Sequence, residues 1–133
     1  MNTTELCRHL AVTPRQVQWW CEAGILSPER VAGNRQFDED QVLLAAVVAE
    51  LRRKGVGLER IRRLHAQLKK LQDEYLVLWG HGSKWCPGRN LIQCVAHAPG
   101  PCIVVSLEEL RAEIWPAQKT SGSRQSPAAT RTS

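Results

Sequence analysis

Proline and glycine cut the first half of the chain into short units, and this punctuation limits the possible folds more than any other feature. Thr13-Pro14, Gly24, Ser27-Pro28, Gly33-Asn34 and Gly55-Val56-Gly57 each mark a place where a helix starts or cannot continue. Before the first of them, Thr4 can cap a short helix, Glu5 to Leu10, with Leu6 and Leu10 facing inward at i, i+4. Thr13 followed by Pro14 then combines an N-cap hydroxyl with a proline at the first helical position. The spacing predicts a second helix from Pro14 to about Ala23, ended by Gly24. Val17 and Cys21, four apart, can face the first helix, which leaves Arg15, Gln16, Gln18 and Trp19 more outward. A short helix, a tight connection at Ala11-Val12 and a second, polar helix form the helix-turn-helix pattern. In that pattern the start of the second helix reads base edges, where Arg and Gln can each make bidentate contacts.

The region from Ile25 to Phe37 reads as a hairpin or wing around a Gly33-Asn34 turn, with Arg30 and Arg35 near its tip. A third helix runs from Asp38 to about Lys54. Asp38, Glu39 and Asp40 complement the N-terminal end of its dipole, and Arg52, Arg53 and Lys54 the C-terminal end. Val42, Leu43, Ala46, Val47, Ala49 and Leu51 give it a broad apolar face. A fourth helix begins near Leu58, with Ile61, Leu64, Leu68 and Leu71 on one stripe.

The ordered set Thr13-Pro14-Arg15, Trp19-Trp20, Glu22-Ala23-Gly24-Ile25-Leu26-Ser27-Pro28, Arg30 and Gly33-Asn34-Arg35-Gln36-Phe37 resembles the DNA-binding domain of the MerR family. Leu51-Arg52, Gly55-Val56-Gly57-Leu58-Glu59 and Ile61-Arg62 extend the resemblance, which covers about residues 2–71. It implies a winged helix-turn-helix fold and DNA contacts at Thr13, Arg15, Gln16, Gln18, Trp19, Arg30, Asn34, Arg35, Arg53 and Lys54. Arg15 and Gln16 are the candidates for base edges; Gln18, Arg30, Arg35 and Lys54 for phosphates, which set register. Trp19 is placed on the sugar-phosphate backbone and Trp20 in the core. This chain has Gln18 where the family usually has Arg, Trp19-Trp20-Cys21 where it has Tyr-Tyr-Glu, and Asn34 where an aromatic residue is common. Arg60, Arg62, Arg63, Lys69 and Lys70 read as a solvated helix face.

Charge follows the same division. The net charge of +5 splits into +4 over residues 1–71, −2 over 72–115 and +3 over 116–133. A basic first segment favours nucleic acid as a partner. The last segment, Ser/Thr/Ala/Pro-rich and without Leu, Ile, Val or an aromatic residue, reads as a disordered tail.

Residues 72–115 change texture. Tyr75 and Leu78 continue the stripe of Ile61, Leu64, Leu68 and Leu71, which is either a short coiled-coil seam or the edge of the winged-helix core ending near Leu71. Tyr75 to Gly80, Leu91 to Val95 and Cys102 to Val105 read as strands. Ser106 to Glu109 is a capping box that opens a final helix running to Trp115. The expected architecture is mainly α with a small α+β appendage: a winged helix-turn-helix domain at 2–71, a β-β-β-α appendage at 72–115, and the tail at 116–133. The appendage is a candidate dimerisation or effector region.

His81, Cys86, Cys94, His97 and Cys102 offer imidazole and thiolate ligands for a metal such as zinc, but no pair has the close Cys-x2-Cys spacing. Cys94 and Cys102 fall in apolar runs, where free Cys acts as a small hydrophobe. Cys7 and Cys21 read as core residues. Five Cys without an export signal argue against a disulfide framework. No phosphate loop, dinucleotide glycine pattern, His-Glu-x-x-His or nucleophile elbow is present, so neither an enzyme nor a cofactor is expected. The longest apolar run, Val42 to Ala49, is too short for a membrane span, and a soluble, cytoplasmic protein is expected. The leading expectation is a sequence-specific transcriptional regulator whose partners are double-stranded DNA, a second copy of the chain and RNA polymerase. Its rivals are a protein-interaction module of the chaperone-modulator kind and an excisionase-type architectural DNA factor.

Overall fold

A computed structural model describes residues 1–116. The disordered-tail reading for 117–133 lies outside the described residues. About half of the described chain is helical, and two small antiparallel sheets accompany the helices.

Helix α1 (Thr3–Leu10) begins two residues earlier than expected. Asn2, not Thr4, is its cap. The Glu5 amide donates to Asn2 Oδ1 at 2.8 Å and the Asn2 amide donates to Glu5 Oε1 at 2.9 Å, a reciprocal box that outcompetes a lone threonine. Helix α2 (Pro14–Glu22) starts as expected, with Thr13 as cap. Such a cap contributes about 1 kcal/mol. Gly24 follows the helix with φ +79, a backbone that favours glycine. Leu6, Leu10, Val17 and Trp20 are buried between the two helices and the rest of the core.

Strands β1 (Glu29–Val31) and β2 (Asn34–Gln36) form the hairpin. Its turn is Ala32-Gly33, both at positive φ (+53 and +84), and not Gly33-Asn34 as expected. Two successive positive φ values suit the right-handed twist of the flanking strands, so Asn34 moves into β2. The hairpin is tied to the chain start: the Phe37 amide donates to the Met1 carbonyl at 2.8 Å, and the Met1 amine to the Phe37 carbonyl at 3.1 Å.

Helix α3 (Glu39–Arg53), capped by Asp38, is the centre of the molecule. Val42 through Ala49 are all buried, so this helix meets protein on every side. It packs against α1, the fourth helix α4 (Leu58–Leu68), the strand β5 (Ile103–Ser106) and the last helix, α6 (Leu107–Ile114). Helix α4 ends at Leu68, and Leu71 and Asp73 then take positive φ, which turns the chain away. The longer coiled-coil seam is therefore not formed: Tyr75 and Leu78 lie in strand β3 (Tyr75–Leu78).

Strand β3 runs between β4 (Ser83–Cys86) and β5, antiparallel to both, with Leu76 opposite Trp85 on one side and Val105 on the other. The Trp85 indole N–H donates to the Gln67 carbonyl at 2.8 Å and joins this sheet to α4. Leu91 to Val95, expected as a strand, is instead the helix α5 (Leu91–Ala96), entered through a 3₁₀ turn at Gly88–Asn90. A short apolar run carries no period that separates strand from helix, and the sheet takes Ser83–Cys86 in its place. The order after α4 is thus β-β-α-β-α and not β-β-β-α. Ser106 caps α6 by accepting the Glu109 amide at 3.2 Å, the first half of the expected box. Leu107, Leu110 and Ile114 of α6 join one continuous core with Leu6, Val17 and the α3 residues.

Cys86 and Cys94 are joined by a disulfide between β4 and α5, which corrects the expectation that the cysteines stay unpaired. Cys7, Cys21 and Cys102 are free. Among the described residues, no helix is long and apolar enough to cross a membrane.

Candidate nucleic-acid interface

The capping box at the start of α2 sets what this helix can present. The Gln16 amide donates to Thr13 Oγ1 at 3.1 Å, and Gln16 Oε1 accepts the Thr13 amide at 2.9 Å. Half of the Gln16 carboxamide is therefore spent on the helix start, leaving its NH₂ as the free polar group. Gln18 Nε2 donates to Glu22 Oε2 at 3.0 Å, one turn along the same helix. Arg15 lies with its guanidinium carbon 5.2 Å from the centre of the Trp19 ring, a cation–π arrangement that orients a long side chain. Trp19 is 48% exposed whereas Trp20 is 2% exposed, so the two neighbouring tryptophans take the surface and core positions expected for them. Trp19 also lines a shallow groove with Ala23, Leu58 and Arg62, where α2 meets α4.

The hairpin places two arginines at paired positions. Arg30 and Arg35 are directly opposite in the β1–β2 register. Like charges placed so destabilise an isolated pair. Arg30 Nη1 donates to the Gly33 carbonyl at 3.0 Å, which braces the turn. Both arginines reach α2 electrostatically. Burial pushes the Cys21 thiol above its ordinary value, while Arg35 and then Arg30 pull it back without cancelling the rise. Both hairpin cations thus lie within electrostatic reach of Cys21 near the end of α2, and Asn34 is exposed in the same hairpin.

Arg53 and Lys54 are engaged within the fold. Arg53 Nη1 donates to the Leu10 carbonyl at 3.3 Å, and Arg53 and Lys54 pair with Glu50 at 2.9 and 3.3 Å. Arg53 therefore joins the end of α3 to the end of α1. Arg60, expected on a solvated face, is half-buried and donates to the Trp79 carbonyl. Nothing in the helical spacing could show this, because its acceptor lies in another element.

The thiol and imidazole candidates for a metal are dispersed. Cys86 and Cys94 are consumed by each other, Cys102 Sγ donates weakly to the Gly100 carbonyl, and His97 Nδ1 bonds the Gln93 carbonyl at 2.8 Å. His81 is exposed. Among the described residues, no three His, Cys, Asp or Glu side chains gather where they could hold a metal ion.

A comparison with curated proteins returns no match. The sequence model of the MerR HTH family regulatory proteins matches residues 1–68, which span α1, α2, the β1–β2 hairpin, α3 and α4. With the capped α2, the paired hairpin arginines and the buried α3 all inside that match, the chain belongs to the MerR HTH family of regulatory proteins.

Proposed function

We propose that the protein is a sequence-specific DNA-binding transcription regulator that uses α1 and α2 as a helix-turn-helix and the β1–β2 hairpin as a wing, and that it acts as a dimer on promoter DNA. The observation that carries this reading is the pairing of Arg30 with Arg35 beside α2. Two guanidiniums held opposite each other repel, and a phosphate backbone relieves that repulsion by bonding both. Arg15, oriented by Trp19, is the base-reading residue of this proposal; a bidentate Arg–guanine contact contributes about 1–3 kcal/mol of discrimination. Gln16 acts first as a cap and only through its NH₂ as a reader. Gln18, turned to Glu22, is a weaker phosphate ligand than the arginine common in the family. Arg53 holds the ends of α3 and α1 together, Lys54 pairs with Glu50, and both contribute to DNA affinity through their field. A two-fold dimer supplies two such surfaces for a palindromic site, and RNA polymerase is the partner through which promoter binding is read.

The test is binding to the protein's own promoter duplex and to random duplex at several salt concentrations. Affinity falls steeply with salt, and Arg35→Ala weakens binding to both duplexes while reducing the log–log salt slope by about 1. Arg15→Ala instead costs about 1–3 kcal/mol on the promoter alone. An absence of DNA binding at low salt would move the reading to a protein-interaction module; bending at a recombination site would move it to an excisionase-type factor.

A further inference from the structure

An open cleft of about 440 Å³ lies between the β3–β4 connection and α5, lined by Trp79, Lys84, Asn90, Gln93, Cys94 and His97 among others. Sites for small molecules commonly have volumes of about 300–1,000 Å³. Its apolar wall is the Trp79 ring, and that ring is held in place. It lies against Gly82 so closely that a Cβ there would come within 2.6 Å of it. The Trp79 amide donates to the Gly82 carbonyl at 3.0 Å, and Arg60 of α4 donates to the Trp79 carbonyl. The facing wall is α5, which the Cys86–Cys94 disulfide ties to β4. On it, His97 Nδ1 donates to the Gln93 carbonyl, since a carbonyl only accepts, and Nε2 is left as the free ring nitrogen.

Among the residues lining this cleft the charged side chain is Lys84, and no Asp or Glu is among them; Glu74, outside the lining, accepts the Gly88 amide. From Tyr75 to Leu107 the sequence contains no Asp or Glu, but it contains Lys84, Arg89, His81 and His97. The acids that make residues 72–115 net negative stand outside that run, at Asp73, Glu74, Glu108, Glu109 and Glu113. Lys84 is exposed and takes part in none of the ion pairs among the described residues. A flat indole face, an uncompensated ammonium and two carboxamides with N–H donors make a combination suited to one ligand chemistry. A cation would meet an ammonium and no carboxylate among the lining residues, and a neutral arene would leave the ammonium unused.

We propose that this cleft binds a small organic anion with a flat apolar body, of the aromatic carboxylate or sulfonate class. Its ring stacks on Trp79 and its anionic group meets the Lys84 ammonium, with Asn90 and Gln93 donating to the same group. This site is independent of the DNA-binding surface. The test is calorimetric titration of the full chain at low salt with 1-naphthoate, with 1-naphthylmethylammonium in parallel. Naphthoate binds at one saturable site with an affinity at least tenfold above that of the ammonium compound. Lys84→Glu, a change at an exposed side chain, lowers naphthoate affinity at least tenfold, and Gly82→Val abolishes binding by displacing the Trp79 ring. If Gly82→Val fails to fold, Lys84→Glu decides. Unchanged naphthoate affinity in Lys84→Glu, equal binding of the ammonium compound, or no saturable heat with naphthoate would overturn the proposal.

Discussion

Glu50 shows how single side chains in this fold serve more than one contact. It sits in the last turn of α3 and accepts bonds from Arg53 and Lys54. Partial burial pushes its carboxyl pKa upward, but the hydrogen bonds from Arg53 and Lys54 outweigh burial and leave it below its ordinary value. A carboxylate depressed in the folded state stabilises the fold above its unfolded pKa, and that contribution disappears as pH falls through the folded value. The two ion pairs are partly solvent-exposed, so their contribution is at most about 1 kcal/mol. Glu50→Gln therefore lowers stability to urea at pH 7, and the difference from the native chain narrows as the pH is lowered and the carboxylate is protonated. A difference that does not narrow on acidification would assign the effect to packing and not to charge. The residue scale also shows what spacing alone could read. Trp20 is buried and Trp19 exposed because a helix turns about 100° per residue, and Val17 and Trp20 share its inner stripe. The use of Gln16 as a cap was less legible: Gln can fill the third helical position of a box or read a base, and only coordinates show which.

Among the elements, the β1–β2 hairpin carries a strained position. Ala32 has φ +53, in a region that costs an L-residue about 1–2 kcal/mol and costs glycine little. Glycine loses more freedom on folding, by roughly 0.5–1 kcal/mol, which offsets part of the gain. Ala32→Gly is thus expected to raise stability by up to about 1 kcal/mol, seen as a higher denaturant midpoint with an unchanged slope. A lowered midpoint would contradict a left-handed backbone at this turn. Element legibility followed capping chemistry. Thr13-Pro14, Asp38 and Ser106 announce their helices because a cap acts within one turn of the chain. Leu91–Ala96 failed for the converse reason: it has no cap side-chain bond, and no residue of it is fully buried. Its helical state is supported by packing on β3 and by the link from Cys94 to Cys86.

At the scale of the whole molecule, α3 is shared. It packs against α1, α4, β5 and α6, and the core runs without a break from Leu6 to Ile114. Removing residues beyond 71 would strip Leu107, Leu110 and Ile114 from this helix and expose apolar surface. A fragment of residues 1–71 is expected to unfold at a lower temperature than residues 1–116, and the longer chain to unfold in one cooperative transition. Equal melting temperatures by circular dichroism would show that the C-terminal half adds nothing to the stability of the first. The net negative charge of residues 72–115 likewise changes meaning once folded. Its acids flank an interior run with none, and the cleft inherits the charge of that run and not the segment average.

The sequence by itself determined the family, the starts of α2, α3 and α6, the inward stripe of α1 and the inner places of Val17 and Trp20 on α2, whereas Cys21, expected to face inward, is half-buried. Capping, helical periodicity and backbone breaks act among residues a few positions apart, so a short window of chain contains the cause. Only the tertiary structure decided that α5 is a helix, that Cys86 meets Cys94, that Arg60 bonds the Trp79 carbonyl and that Arg53 bonds the Leu10 carbonyl 43 residues away. Each of these depends on partners brought together by burial of a common core, and no local window holds both members of the pair.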